Sequence, residues 1–138
     1  MSPAPRLGRD VAGVVAGAAL AVGVDRLTLR LAPGHRVVLA AAGLAVAAAI
    51  YPAARTRRPF DAHLVREVGA LGAYSAFVVA ATRRDPSARR RLVAAGWASH
   101  AAFDAVHDSG EHSLIPAWYP AVCAGYDLAT AGRLLAID

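Results

Sequence analysis

The chain has 138 residues, a length that predicts a single domain. Hydrophobic residues make up 57% and charged residues 18%, and the mean hydropathy of +0.40 is typical of membrane proteins. The net charge of +5 comes from arginines at the junctions between apolar segments, which favours membrane lipid over nucleic acid as a partner. The single cysteine, Cys123, excludes an intrachain disulfide.

Apolar segments and charged junctions alternate along the whole chain. We predict an all-α polytopic membrane bundle of about five spans, with four spans as the alternative, forming one transmembrane domain over residues 1–138. An alanine-rich soluble bundle is the competing interpretation, but the first two segments lack the polar stripe of a soluble surface helix. The five segments are Val11–Val24, Val37–Ala54, Leu64–Thr82, Leu92–His107 and Ile115–Ile137.

The first segment follows Arg6 and Arg9, and we interpret it as a membrane helix, with a cleaved signal peptide as the alternative. Small residues such as Gly13, Gly17 and Gly43 are typical of helices that pack closely in lipid. Such small-residue faces are also compatible with helix contacts between copies of the chain, so a homo-oligomer is a further interpretation.

The junctions carry turn and capping residues. We expect a turn at Pro33 and Gly34, and Ser87 as the N-cap of the fourth segment. Gly110 fits a left-handed cap at the end of that segment, and Ser113 fits the N-cap of the fifth.

Arginines are unevenly divided between the two sides of a five-span topology. Five lie on the side of the N-terminus and nine on the other side, so the positive-inside rule predicts the N-terminus outside and the C-terminus cytoplasmic.

Potential metal ligands concentrate in the fourth segment. At about 100° per residue, His100, Asp104 and His107 share one helix face, and His112 follows in the loop. In the third segment His63 and Glu67 are four residues apart, and in the fifth Cys123 and Asp127 repeat that spacing. In an alternating topology all these groups belong to the same membrane half.

Ionisable groups inside a bilayer are costly and normally face one another. A divalent metal would compensate the carboxylates, with zinc first and iron or manganese second. We therefore predict a metal site formed by His100, Asp104, His107, His63 and His112, with Asp127 or Glu67 as general base, in a hydrolase of lipid-like or apolar substrates. A proton- or cation-coupled transporter and an accessory subunit of a membrane complex remain the alternatives.

The C-terminal third resembles a set of small bacterial integral membrane proteins of unknown function. They share a His-x3-Asp-x2-His helix, here His100, Asp104 and His107, followed by a segment that contains Pro116, Trp118, Tyr119, Pro120, Cys123 and Asp127. This chain has Asp108 where that pattern has a second histidine. A looser similarity, in residue types and not in spacing, links it to intramembrane zinc hydrolases of the ceramidase and progestin-receptor kind.

Overall fold

Five α-helices make up the part of the chain that the structure describes, in agreement with the sequence-based prediction. The computed structural model describes the backbone of residues 3–137 and the side chains of residues 8–137. The helices are α1 Pro3–Thr28, α2 Pro33–Ala53, α3 Ala62–Thr82, α4 Pro86–Val106 and α5 Tyr119–Leu135. The all-α prediction is confirmed.

Three of the helices are long and apolar enough to cross a membrane. They are the Gly8–Thr28 part of α1, α2 and α3, each of 21 residues with mean hydropathies of 1.5, 1.7 and 1.4. The other two helices are less suited to cross a membrane, because α4 carries Arg89, Arg90 and Arg91 near its start and α5 has only 17 residues.

The helix α4 lies at the centre of the bundle. It packs against α2, α3 and α5, whereas α1 packs along α5. Leu44, Val93 and Trp97 form the apolar core at this centre, and the Trp97 indole N–H donates a 3.0 Å hydrogen bond to the Ala40 carbonyl. The neighbouring helices therefore shield the polar residues of α4 from the surroundings.

Glycines allow α1 and α5 to approach closely. A Cβ at Gly17 would overlap the Val122 carbonyl, and a Cβ at Gly125 would overlap the Val14 carbonyl. A Cβ at Gly13 would lie 2.9 Å from that of Ala121. The small-residue face predicted for α1 therefore packs against α5 of the same chain. The two backbones can approach closely because glycine has no Cβ atom.

Several helix boundaries differ from the sequence-based expectation. Pro33 is the first residue of α2 and not part of a turn, because its fixed φ and missing N–H suit the first helical turn. Asp85, not Ser87, caps α4: its carboxylate accepts hydrogen bonds from the Ala88 N–H and the Ser87 hydroxyl, which lowers the pKa of Asp85.

The loop before α5 is longer than expected. Ser113 does not cap a helix; its hydroxyl accepts from the Ile115 N–H, and α5 begins at Tyr119 with Pro120 in its first turn. Gly110 has the expected positive φ, 69°, but it lies beyond the C-cap residue His107.

We predict that Gly17→Ala will destabilise the protein, because the added methyl group must displace the α5 backbone. The expected loss is about 1–3 kcal/mol, the usual cost of overpacking. Gly23→Ala in the same helix is the matched control, since nothing lies within 4 Å of its added Cβ. Unfolding of the detergent-purified proteins measures both, and equal stability of the two variants would contradict the proposed packing.

Candidate metal centre

A histidine and two carboxylates meet between α4 and α5. His100 Nδ1 lies 2.8 Å from Asp127 Oδ2 and 3.4 Å from Asp104 Oδ2. The three side chains are at most 2% exposed. His100 and Asp104 are one helical turn apart on α4, and the close packing of α5 against α4 supplies Asp127.

Hydrogen bonds within the cluster do not satisfy all of its polar atoms. The His100 Nδ1–H donates to Asp127, but both Asp104 oxygens and His100 Nε2 have no hydrogen-bond partner among the described residues. The Tyr51 hydroxyl, carried by α2, approaches Asp104 without closing a hydrogen bond to any described residue. Unpaired buried carboxylate oxygens are costly, so this arrangement favours a further positively charged partner.

The spacing of the three side chains fits a metal ion. One ligand atom from each lies within 4.8 Å of the others. The ligand atoms of a tetrahedral zinc, each about 2.1 Å from the ion, are about 3.4 Å apart, which is close to the 3.4 and 2.8 Å that separate His100 Nδ1 from the two carboxylates. His100, Asp104 and Asp127 could therefore hold a divalent ion in place of the proton that His100 shares with Asp127.

A second buried cluster lies nearer the end of the bundle that carries the α4–α5 loop. Arg55 binds both oxygens of Glu67, at 2.6 and 3.0 Å, and the His107 Nε2–H donates to Glu67 Oε1 at 3.0 Å. These side chains are at most 1% exposed. Hydrogen bonding to Glu67 raises the pKa of Arg55, so the guanidinium stays charged.

Glu67 and His107 therefore lie apart from the His100 cluster. His107 is the C-cap of α4, with extended backbone angles of −78° and 126°, so helical periodicity no longer fixes its direction. Arg55 occupies both Glu67 oxygens, which leaves that carboxylate engaged in an ion pair. A cation next to Glu67 also disfavours a metal at this second cluster.

Aromatic rings separate the two clusters. Phe103 stacks on the His107 ring with centroids 4.7 Å apart, and its centroid lies 5.9 Å from that of His100. Tyr51 meets His107 edge-on at 4.7 Å. These rings therefore lie between the His100 cluster and the Glu67 cluster and give each cluster distinct surroundings.

The two remaining predicted ligands are in loop contacts. The His63 Nδ1–H donates to the Asp108 carbonyl at 2.8 Å, which attaches α3 to the loop after α4. The carbonyl of His112 accepts from the Thr56 N–H and hydroxyl, at 2.9 and 3.0 Å. Cys123 is partly buried and lies beside Tyr119.

Sequence reasoning missed Arg55 and Tyr51 as partners of the buried carboxylates. Arg55 is one of the five arginines on the side of the N-terminus in the five-span topology, and it immediately follows the second apolar segment at the level of Glu67 in the next helix. A search for one cation per buried carboxylate at the same depth would have found it. Tyr51 carried no such signal, because an aromatic residue near a helix end is usually an interfacial anchor.

Comparison with protein-family models, with curated proteins and with solved structures finds no match for this chain. The chemistry of the site is therefore argued from its own residues.

We predict that Arg55→Met will lower the free energy of unfolding by about 3–5 kcal/mol, because it leaves the Glu67 charge buried and unpaired. The double variant Arg55→Met/Glu67→Met should recover much of that loss, since it removes both charges. Arg57→Met, on an exposed residue of the same loop, is the control. Denaturant unfolding in detergent measures all three, and a double variant no more stable than Arg55→Met would refute the pairing.

Proposed function

We propose that this protein is a membrane-embedded metal protein whose ion is bound by His100, Asp104 and Asp127. The observation behind the proposal is the convergence of two carboxylates on one histidine nitrogen in a site at most 2% exposed. With a neutral histidine and ionised carboxylates the cluster carries two negative charges, which a divalent cation neutralises. This mixture of nitrogen and oxygen donors suits zinc first and iron or manganese second.

The reaction that we propose is hydrolysis of a lipid-like or apolar substrate. Three protein ligands leave a coordination position for water, and a bound zinc lowers the pKa of such a water towards 7. Asp104 and Asp127 each offer a second oxygen that can accept a proton from the attacking water. The apolar helices around the site favour a substrate that partitions into the bilayer.

The proposed location is a bacterial inner membrane with the N-terminus outside. The three membrane-compatible helices support a membrane location. The resemblance of the C-terminal third to small bacterial membrane proteins supports a bacterial one, and the arginine asymmetry of a five-span topology supports the orientation. It places the His100 cluster in the outer half of the bilayer, towards the α4–α5 loop.

A specific observation also favours proton- or cation-coupled transport as a second candidate. Among the described residues, polar atoms without hydrogen-bond partners occur at His107 Nδ1, the Tyr51 hydroxyl, Asp104 and His100 Nε2. These groups run from the loop end of the bundle to its centre, and they could pass protons along that path. Metal binding and proton binding compete for the same nitrogen, His100 Nδ1.

We expect detergent-purified protein to contain one equivalent of a divalent metal by elemental analysis. His100→Ala and Asp127→Asn should each weaken the affinity for the metal by at least about tenfold, which corresponds to the loss of about 1.4 kcal/mol or more in binding free energy. His35→Ala, which removes an exposed histidine far along the sequence from the cluster, should leave the metal content unchanged. A wild-type protein that binds no zinc, iron or manganese after dialysis against each would exclude the metal site.

We expect the metal-loaded protein, incubated with bilayer lipids, to release water-soluble or lysolipid products detectable by mass spectrometry. Asp127→Asn should abolish the release, and the apoprotein should regain it on addition of metal. If the metal binds but no product forms, while proteoliposomes show a pH-dependent cation flux that Asp127→Asn abolishes, transport replaces hydrolysis as the function.

A further inference from the structure

Three adjoining depressions lie at the end of the bundle opposite the α4–α5 loop. The first is a cleft of about 110 Å³ that includes Asp25, Arg36 and Arg133 in its lining. The second, of about 340 Å³, shares those three residues with it. The third, of about 260 Å³, includes Arg89 and Arg90. Ile137 lines all three, so they surround one point of the structure, and we refer to them together as the arginine basin.

Among the residues that the structure describes, those lining the arginine basin carry an excess of positive charge. Four guanidinium groups line it, and Asp25 is the one carboxylate among the residues lining these three depressions. Asp25 binds Arg36 at 2.6 Å and also pairs with Arg133. The neighbouring Asp85 is engaged by Ala88 and Ser87 as the cap of α4.

The arginines have unused hydrogen-bond donors. The Nε atoms of all four are buried and lack a partner among the residues that the structure describes. Two of these arginines, Arg89 and Arg90, also form no ion pair with a described carboxylate. In addition, α2 begins at the basin with Pro33, and its first turn has neither a side-chain cap nor an acidic residue. The helix dipole therefore adds to the attraction for an anion.

The basin continues into an apolar cleft between helices. Beyond Asp25 and Arg36, the first depression is lined by Leu39, Gly43 and Trp97, which lie further along α2 and α4. The two helices on either side of this cleft, α1 and α2, pack mainly against α5 and against α3 and α4, respectively, rather than against each other. The cleft thus opens sideways, towards the position that acyl chains occupy around a membrane bundle.

We propose that the arginine basin binds the phosphate of an anionic phospholipid, with an acyl chain in the cleft between α1 and α2. Guanidinium groups match phosphate oxygens in charge and geometry. The cleft supplies the apolar surface that a free phosphate would not use. This site lies at the other end of the bundle from the His100 cluster and does not depend on the function proposed for that cluster.

Native mass spectrometry of the full chain in detergent, titrated with phosphatidylglycerol or with phosphatidylcholine, tests the proposal. We expect phosphatidylglycerol to bind about tenfold more tightly than phosphatidylcholine, because phosphatidylglycerol carries a net negative charge, whereas the choline group of phosphatidylcholine neutralises its phosphate. Arg89→Gln/Arg90→Gln should remove this preference. Neither arginine pairs with a carboxylate that the structure describes, so circular dichroism should show an intact helical fold.

The matched control is Arg83→Gln/Arg84→Gln, which removes the same charge from the same end of the bundle. Both residues are exposed and outside the lining of the three depressions, so the lipid preference should persist. Equal affinity for the two lipids, or an equal loss in the control, would overturn the proposal. Displacement of the lipid by inorganic phosphate at equal concentration would also overturn it, because that result assigns the site to a free anion.

Discussion

Buried carboxylates impose the main constraint on this structure. Glu67, Asp104 and Asp127 are each at most 2% exposed in a chain whose composition is dominated by alanine, valine and leucine. A charge at such a position is unfavourable by several kcal/mol unless a partner compensates it. The arrangement of the central helices can be understood as the way in which this chain brings each carboxylate to a partner.

The two clusters compensate their buried carboxylates in different ways. The buried charge of Glu67 is compensated within the protein, because Arg55 and His107 supply three hydrogen bonds and Arg55 a full positive charge. The Asp104 and Asp127 pair has only His100 and the nearby Tyr51 hydroxyl. A fully satisfied ion pair fixes the ends of α2, α3 and α4, whereas the under-compensated pair retains the capacity to bind a cation or a proton. This contrast makes the His100 cluster, and not the Glu67 cluster, the candidate metal site.

The least apolar helix lies at the centre of the bundle, and more apolar helices pack against it. The helix with the ligands, α4, also has three consecutive arginines, and it is the helix enclosed by α2, α3 and α5. The more apolar α1, α2 and α3 have many exposed valines and leucines, as expected of surfaces that contact acyl chains. At the opposite end, the arginines provide charges suited to lipid headgroups, so the two ends of the bundle differ in chemistry as well as in charge.

The sequence by itself determined the helical class, a bundle of about five helices and the end of the bundle near which the candidate ligands lie. Hydrophobic segments and charged junctions define these features locally, and the spacing of His100 and Asp104 places both on one face of α4. Only the tertiary structure decided which groups meet. His107 leaves the helix at its C-cap and joins Glu67, while Asp127 reaches His100 because α5 packs against α4. Which side chains meet between two helices depends on how each helix is rotated about its axis and on how it is shifted along that axis. The spacing of residues within one helix does not specify the rotation or the shift of the neighbouring helices.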